Sequence, residues 1–196
     1  MRESCPLLCK EKGNLTVNCS QGSMGNDMSQ KAEQYQKLID ELRHQGIEIV
    51  ESDSNPDTKW GAYLRIAETS YSRFLECYWK GISVPSQDDV PGHQLSPKLL
   101  LIAPGMRLSL QYHNRRAEYW RVVGEPVRVI IGTNEKDLHE QVCQRGDVIH
   151  LSVGQWHRLI GMDSWGIVAE IWDSVDKEHP SDELDIVRIS DDFGRK

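Results

Sequence analysis

Four residues of this chain could together hold a divalent metal: Gln111, His113, Glu118 and His157. Gln111 and His113 stand two apart in a run rich in Leu and Tyr, so on a strand both side chains leave by the same face. Glu118 opens the next predicted strand, and His157 begins another just after a turn at Gly154. The set offers an amide oxygen, two imidazoles and a carboxylate. Such a mixed nitrogen and oxygen set suits zinc, iron, manganese, nickel or cobalt better than calcium or magnesium, and no thiolate narrows the choice. Spacing alone leaves open a barrel whose inward polar residues simply bond one another.

Strands must position these groups. Short runs rich in Val, Ile, Leu, Tyr and Trp predict strands over 47–51, 62–68, 73–81, 98–103, 107–113, 118–123, 127–132, 148–152, 157–161, 166–172 and 186–189. Turn residues such as Pro104-Gly105, Gly124-Glu125-Pro126 and Arg145-Gly146-Asp147 separate them. Many short strands with regular turns predict an all-β sandwich or barrel. Ala32, Tyr35, Leu38, Ile39 and Leu42 recur every three or four residues, which predicts one amphipathic helix over 29–45, capped near Asp27 or Ser29 and ended by Gly46. The Pro-, Gly- and Asp-containing stretch 83–96 reads as an exposed loop. Residues 1–28, without periodicity, read as a disordered extension, 29–58 as the helix with a connecting strand, and 59–196 as one β domain.

The 196 residues suit a single domain, and 38% apolar content is enough for one core. The formal charge of −7 argues against a nucleic-acid partner, though it allows a local basic pocket for a phosphate. Five cysteines, an odd number with no C-x-x-C pair, read as free thiols in a reducing compartment. No apolar run approaches the roughly 20 residues of a membrane helix, and Pro6-Leu7-Leu8 is too short a core for a signal peptide, so a cytoplasmic location without membrane contact is expected.

The motifs add a family. Gly105 to Gly124 resembles the first cupin motif, G-x5-H-x-H-x4-E-x5-G, with Gln111 in place of its first His. Gly146 to His157 resembles the second, G-x5-P-x-G-x2-H, with Ser152 in place of Pro. Leu108-Ser109-Leu110-Gln111-Tyr112-His113 and Arg116-Ala117-Glu118-Tyr119-Trp120 resemble the L-S-L-Q-x-H-H-H-R-A-E-H-W signature of the C-terminal isomerase domain of type II mannose-6-phosphate isomerases. Lys59-Trp60-Gly61-Ala62-Tyr63 is similar to that domain's W-G-S-Y entry, and Asp185 to Arg195 to its D-I-V-R-x-x-D-D-Y-G-R ending. The resemblance spans about 59–195. It departs at Asn114, Arg115 and Tyr119, where the family has histidines, and by about twenty inserted residues between 71 and 94. These departures leave the metal set intact and bear on the substrate.

The resemblance implies a cupin, a jelly-roll barrel of the double-stranded β-helix type. It implies that Gln111, His113, Glu118 and His157 bind one divalent ion, zinc first, with iron, manganese, nickel or cobalt as alternatives. It implies aldose–ketose isomerisation of a sugar phosphate such as mannose 6-phosphate, and an active-site arginine at Arg195. Glu170, alternating with Val168 and Trp172, is a candidate base. Arg107, Arg116 and Lys59 are candidates for binding the substrate, Arg107 because alternation places it on the face of Gln111 and His113. Trp60, Trp120, Trp156, Trp165 and Trp172 read first as core. The alternatives are a metal cupin of another class, an oxygenase or epimerase, and a sugar-binding cupin without turnover. The expected partner is a small sugar phosphate, and a homodimer is compatible with the fold.

Overall fold

The computed structural model describes residues 24–53 and 58–195. The first element is α1, Met24–His44, which begins five residues before the helix expected from periodicity. It buries Tyr35, Leu38 and Leu42, the three- and four-residue spacing of its apolar stripe. Gly46, at φ +71°, ends it: Gly46 N–H donates to Arg43 O and Ile47 N–H to Leu42 O, which satisfies two terminal carbonyls.

Among the described residues eleven strands follow, β1 Ile49–Asp53, β2 Gly61–Ile66, β3 Gln94–Ile102, β4 Leu110–His113, β5 Arg116–Val122, β6 Val127–Gly132, β7 His139–Cys143, β8 Val148–Leu151, β9 Trp156–Gly161, β10 Gly166–Ser174 and β11 Ile186–Ser190. They form two antiparallel sheets, ordered β1-β2-β3-β10-β5-β8 and β11-β4-β9-β6-β7. This is the all-β cupin jelly roll with an N-terminal helix.

Strand alternation builds two cores. On β3, Leu95, Leu99 and Leu101 turn outward to meet Leu38, Leu42 and Phe74 beneath the helices. Leu100 and Ile102 turn inward and pack with Trp120, Val129 and Leu159 between the sheets. Pro97 is tolerated inside β3 because β2 pairs only with residues 98–102, which leaves Pro97 bordered by a strand on one side. Gly61 is obligatory: a Cβ there would lie 1.8 Å from Leu101 O, so β2 could not approach β3.

Two expectations about elements need correction. Residues 73–81 were expected as a strand, but a 3-10 turn, Glu68–Ser70, leads into a helix, α2, Tyr71–Tyr78. Its many aromatics suit a strand, yet Tyr71, Phe74, Leu75 and Tyr78 follow the helical period and lay Phe74 and Tyr78 against the outer core. β7 went unread because four of its five residues are exposed, so it carries no apolar alternation; it is an edge strand held by β6. Cys77 and Cys143 are free thiols, while Cys5, Cys9 and Cys19, with the rest of 1–23, lie outside the described residues. Among the described residues no helix is long and apolar enough to cross a membrane.

Candidate metal centre

The register of the strands assembles the centre. Gln111 on β4 is the direct cross-strand partner of His157 on β9. On the facing sheet, Glu118 on β5 pairs with Trp172 on β10, and Glu170 pairs with Trp120 on one side and Lys98 on the other. Every one of these positions faces the space between the sheets.

His113, Glu118 and His157 are each 2% exposed or less, and one ligand atom from each lies within 4.8 Å of the others. His113 Nε2 is 3.1 Å from one Glu118 oxygen and His157 Nε2 is 3.5 Å from the other. His157 Nδ1 donates to Gln155 O at 2.9 Å, which fixes its proton there and leaves Nε2 as a bare lone pair. That Nε2 is buried and has no hydrogen-bond partner among the described residues. At His113, Nε2 has two neighbours at 3.1 Å, Arg116 Nη2 and Glu118 Oε1. A guanidinium can only donate and a carboxylate can only accept, so Nε2 lies between one donor and one acceptor, while Nδ1 is buried with no hydrogen-bond partner among the described residues. Two imidazoles and a carboxylate therefore converge on one point, a donor set that can hold a divalent ion.

Gln111 stands beside them. Its Nε2 lies 3.5 Å from His113 Nε2, and its Oε1 accepts from Ser109 Oγ at 2.6 Å. Turning the amide over would present Oε1 to the centre, with the Ser109 hydroxyl then accepting from Nε2.

Electrostatics keep the groups ready to ligate. Burial by itself pushes the Glu118 carboxyl up, but the neighbouring His113, Arg116 and His157 side chains overcome it and hold Glu118 well below the ordinary carboxylate range. Burial pulls the His157 imidazole down to about 4, against the opposing influence of Glu118. Glu170 moves the other way: burial first, then the nearby Glu118 charge, pushes its carboxyl up to about 7, while Lys98 and Arg116 pull against them.

The centre sits at a cavity of about 530 Å³, well within the range of small-molecule sites. Trp60, Trp120 and Trp172 line it. The first two are buried as expected for core, yet all three present surface to the cavity. Among the described residues five cations, Lys59, Lys98, Arg116, Arg188 and Arg195, outnumber three carboxylates, Glu118, Glu170 and Glu183. Of the candidates read from sequence, Glu170, Arg116, Lys59 and Arg195 reach this cavity. Arg116 is buried and bridges Glu118 Oε1 and Ser181 Oγ, each at 2.8 Å. Arg195 lies 5.9 Å from the Trp60 ring, its guanidinium held by Asp191 at 2.6 and 3.1 Å.

Arg107 does not reach the cavity. It is exposed and its guanidinium pairs with Asp192. The alternation that placed it inward fails because β4 begins only at Leu110; Arg107 makes an isolated bridge to Ile160 before the strand starts. Arg115 also faces away, pairing with Asp182 and Asp185.

Two residues that matter here were given no role from the sequence. Lys98 is 7% exposed and points into the cavity; its signal was a single cation on the inward alternation of an apolar run, Lys98-Leu99-Leu100-Leu101-Ile102. Asp185 is 5% exposed and accepts from Asn114 N–H, Arg115 N–H and Ser181 Oγ. It thereby fixes the β4–β5 turn and, through Ser181, the Arg116 side chain. Nothing in its spacing announced this, because the contact spans some seventy residues.

Fold and site together define a cupin with a buried His/Glu centre that could hold a metal ion. Residues 88–191 match the family described as mannose-6-phosphate isomerase C-terminal, and the chain belongs to that family. It is 32% identical over 104 residues to mannose-1-phosphate guanylyltransferase ManC of Salmonella typhimurium, an alignment covering 53% of this chain and 20% of that protein. The chain thus spans about a fifth of the length of this curated relative. Among solved structures it is loosely similar to a mutant of Bacillus subtilis oxalate decarboxylase OxdC, with TM-score 0.46 and 15% identity over 66% of this chain and 28% of that one. A Lactobacillus farciminis oxalate decarboxylase in complex with formate gives TM-score 0.45 and 14% identity over 73% and 33%.

Proposed function

We propose that this chain is a metal-dependent sugar-phosphate isomerase that interconverts an aldose and a ketose, such as mannose 6-phosphate and fructose 6-phosphate. The observation that carries this reading is the convergence of two buried imidazoles and Glu118, with Glu170 on the wall of the same cation-rich cavity. Membership of the mannose-6-phosphate isomerase C-terminal family supports it.

Gln111, His113, Glu118 and His157 would hold the ion, zinc first with iron, manganese, nickel or cobalt as alternatives, and it would supply Lewis acidity at the sugar oxygens. The residues of the chain do the rest. Glu170, raised to about 7, is suited to take a proton from one sugar carbon and return it to the next at neutral pH. Arg195 and Lys59, nearer the solvent, would receive the phosphate. Trp60, Trp120 and Trp172 wall the reacting end from water.

A coupled assay over a panel of aldose and ketose phosphates, repeated with each of the five metals, tests this. Turnover of at least one sugar phosphate, dependent on metal and lost in Glu118→Gln, is the expected result. No turnover on any of them contradicts the reading.

One observation favours a second reading, a sugar-binding cupin without turnover. The Arg116 guanidinium already touches Glu118 and His113, so a cation of the chain itself can satisfy these groups. Calorimetric binding of mannose 6-phosphate with no turnover under any metal would select it.

A further inference from the structure

The cations of the cavity are unequally committed. Arg116 gives its donors to Glu118 and Ser181 and faces His113. Arg195 gives Nε and Nη2 to Asp191. Lys98 differs from both. Its side chain leaves the middle of β3 into the cavity, and among the described residues no hydrogen-bond acceptor meets its ammonium. Two aromatic rings stand against it, Nζ being 2.8 Å from the centroid of the Trp172 ring and 5.7 Å from that of Tyr63, while the Glu170, Glu183 and Glu118 carboxylates act on its charge from beyond hydrogen-bond reach. Ring faces attract a cation but accept no strong hydrogen bond. A buried ammonium with three donors and no acceptor is costly, and a cavity is where a ligand oxygen can relieve that cost.

Depth says which oxygen. Lys59 is exposed and the Arg195 side chain is 31% exposed, whereas Lys98 is 7% exposed. A strongly hydrated phosphate suits the outer cations. Lys98 lies at the inner end instead. Arg116 Cζ is 3.3 Å from the same Trp172 centroid that Lys98 Nζ meets at 2.8 Å, so the two cations are no more than about 6 Å apart. Arg116 in turn touches Glu118 and His113. Glu170, the candidate base, is the cross-strand partner of Lys98.

We propose that Lys98 is a catalytic residue, whose ammonium donates a hydrogen bond to the sugar oxygen that becomes negative as the enediolate forms. The proposal rests on the isomerase reading above. In the step concerned the C2–H bond breaks and its proton passes to the Glu170 carboxylate. The bonding pair becomes the C1=C2 bond, and the carbonyl π pair moves onto O1, where Lys98 N–H meets it. The hydroxyl proton of O2 then passes to O1, O2 closes the new carbonyl at C2, and C1 takes the proton back from Glu170. Lys98 keeps its own proton throughout. Burial brings its ammonium down to about 8, with Glu170 resisting, so at neutral pH the charged form still prevails.

The test compares wild type, Lys98→Met and Lys98→Arg by calorimetry and kinetics, with a melting curve to confirm that each variant folds. Two ligands are titrated: mannose 6-phosphate, and the phosphorylated five-carbon aldonate whose planar carboxylate copies the enediolate. Lys98→Met is expected to weaken aldonate binding about thirtyfold, to change mannose 6-phosphate affinity less than about threefold and to lower kcat about a hundredfold. Lys98→Arg is expected to recover part of the aldonate affinity. Equal weakening of both ligands would make Lys98 a phosphate receptor and overturn the proposal, as would unchanged aldonate binding. Wild-type turnover with Lys98→Met undiminished overturns the proposal alone. Absence of turnover in the wild type overturns the isomerase reading and the proposal together.

Discussion

Glu170 and Lys98 are direct cross-strand partners on β10 and β3, both nearly inaccessible to solvent and both turned into the cavity. Burial pushes their ionisations toward each other, the carboxyl up to about 7 and the ammonium down to about 8. The pair places a proton acceptor and a cation side by side on one wall, opposite the strands that carry His113 and His157.

The first prediction concerns stability against pH in metal-free protein. Glu170 has a folded pKa of about 7 against 4.5 for the free group, so the folded state binds the extra proton. Its contribution is therefore fully present below about pH 4.5 and is lost as pH rises through about 7. The loss is on the order of 3 kcal/mol. Urea denaturation of wild type and Glu170→Gln across that window should show the two curves diverging upward in pH, with the variant gaining relative stability. Parallel curves would mean that Glu170 is ionised normally.

Asp185 carries the second. Removing this buried carboxylate in Asp185→Ala leaves Asn114 N–H, Arg115 N–H and Ser181 Oγ–H without their acceptor. The expected cost is about 2–4 kcal/mol in urea denaturation. Because Ser181 also accepts from Arg116, ligand affinity should fall as well. Asp185→Asn, which keeps an acceptor, should recover part of both. A loss under about 0.5 kcal/mol would show the β4–β5 turn to be self-supporting.

The third concerns selectivity for a phosphorylated sugar. Arg195 reaches the cavity beside Trp60, so Arg195→Ala should weaken mannose 6-phosphate about tenfold to a hundredfold and leave free mannose unaffected. Arg107→Ala should change neither, since Arg107 faces Asp192 outside. Equal affinity of the wild type for both sugars would indicate an uncharged ligand.

Much of this architecture is legible in the sequence because the signals are local. Gln111 and His113 are two apart, and a strand turns such residues to one face whatever the rest of the chain does. What escaped depends on partners far along the chain or on where a strand begins. Arg107 was assigned inward by extending the alternation of β4 three residues too early. Residues 71–78 form a helix because their apolar period outweighs their strand-prone aromatics, and β7 is held by pairing alone. Lys98 is visible as an interruption in an apolar run, but its meaning comes from Trp172 and Glu170, which only the register of β10 brings alongside.

One divalent ion at His113, Glu118 and His157, with Gln111 beside them, is what the proposed chemistry requires. Anomalous diffraction from crystals of the metal-loaded protein, recorded at the absorption edge of the bound metal, measures this directly. The expected result is a single peak about 2 Å from His113 Nε2, His157 Nε2 and a Glu118 oxygen. A protein that takes up no ion, with the Arg116 guanidinium still seated on Glu118 and His113, or a peak elsewhere, would contradict it.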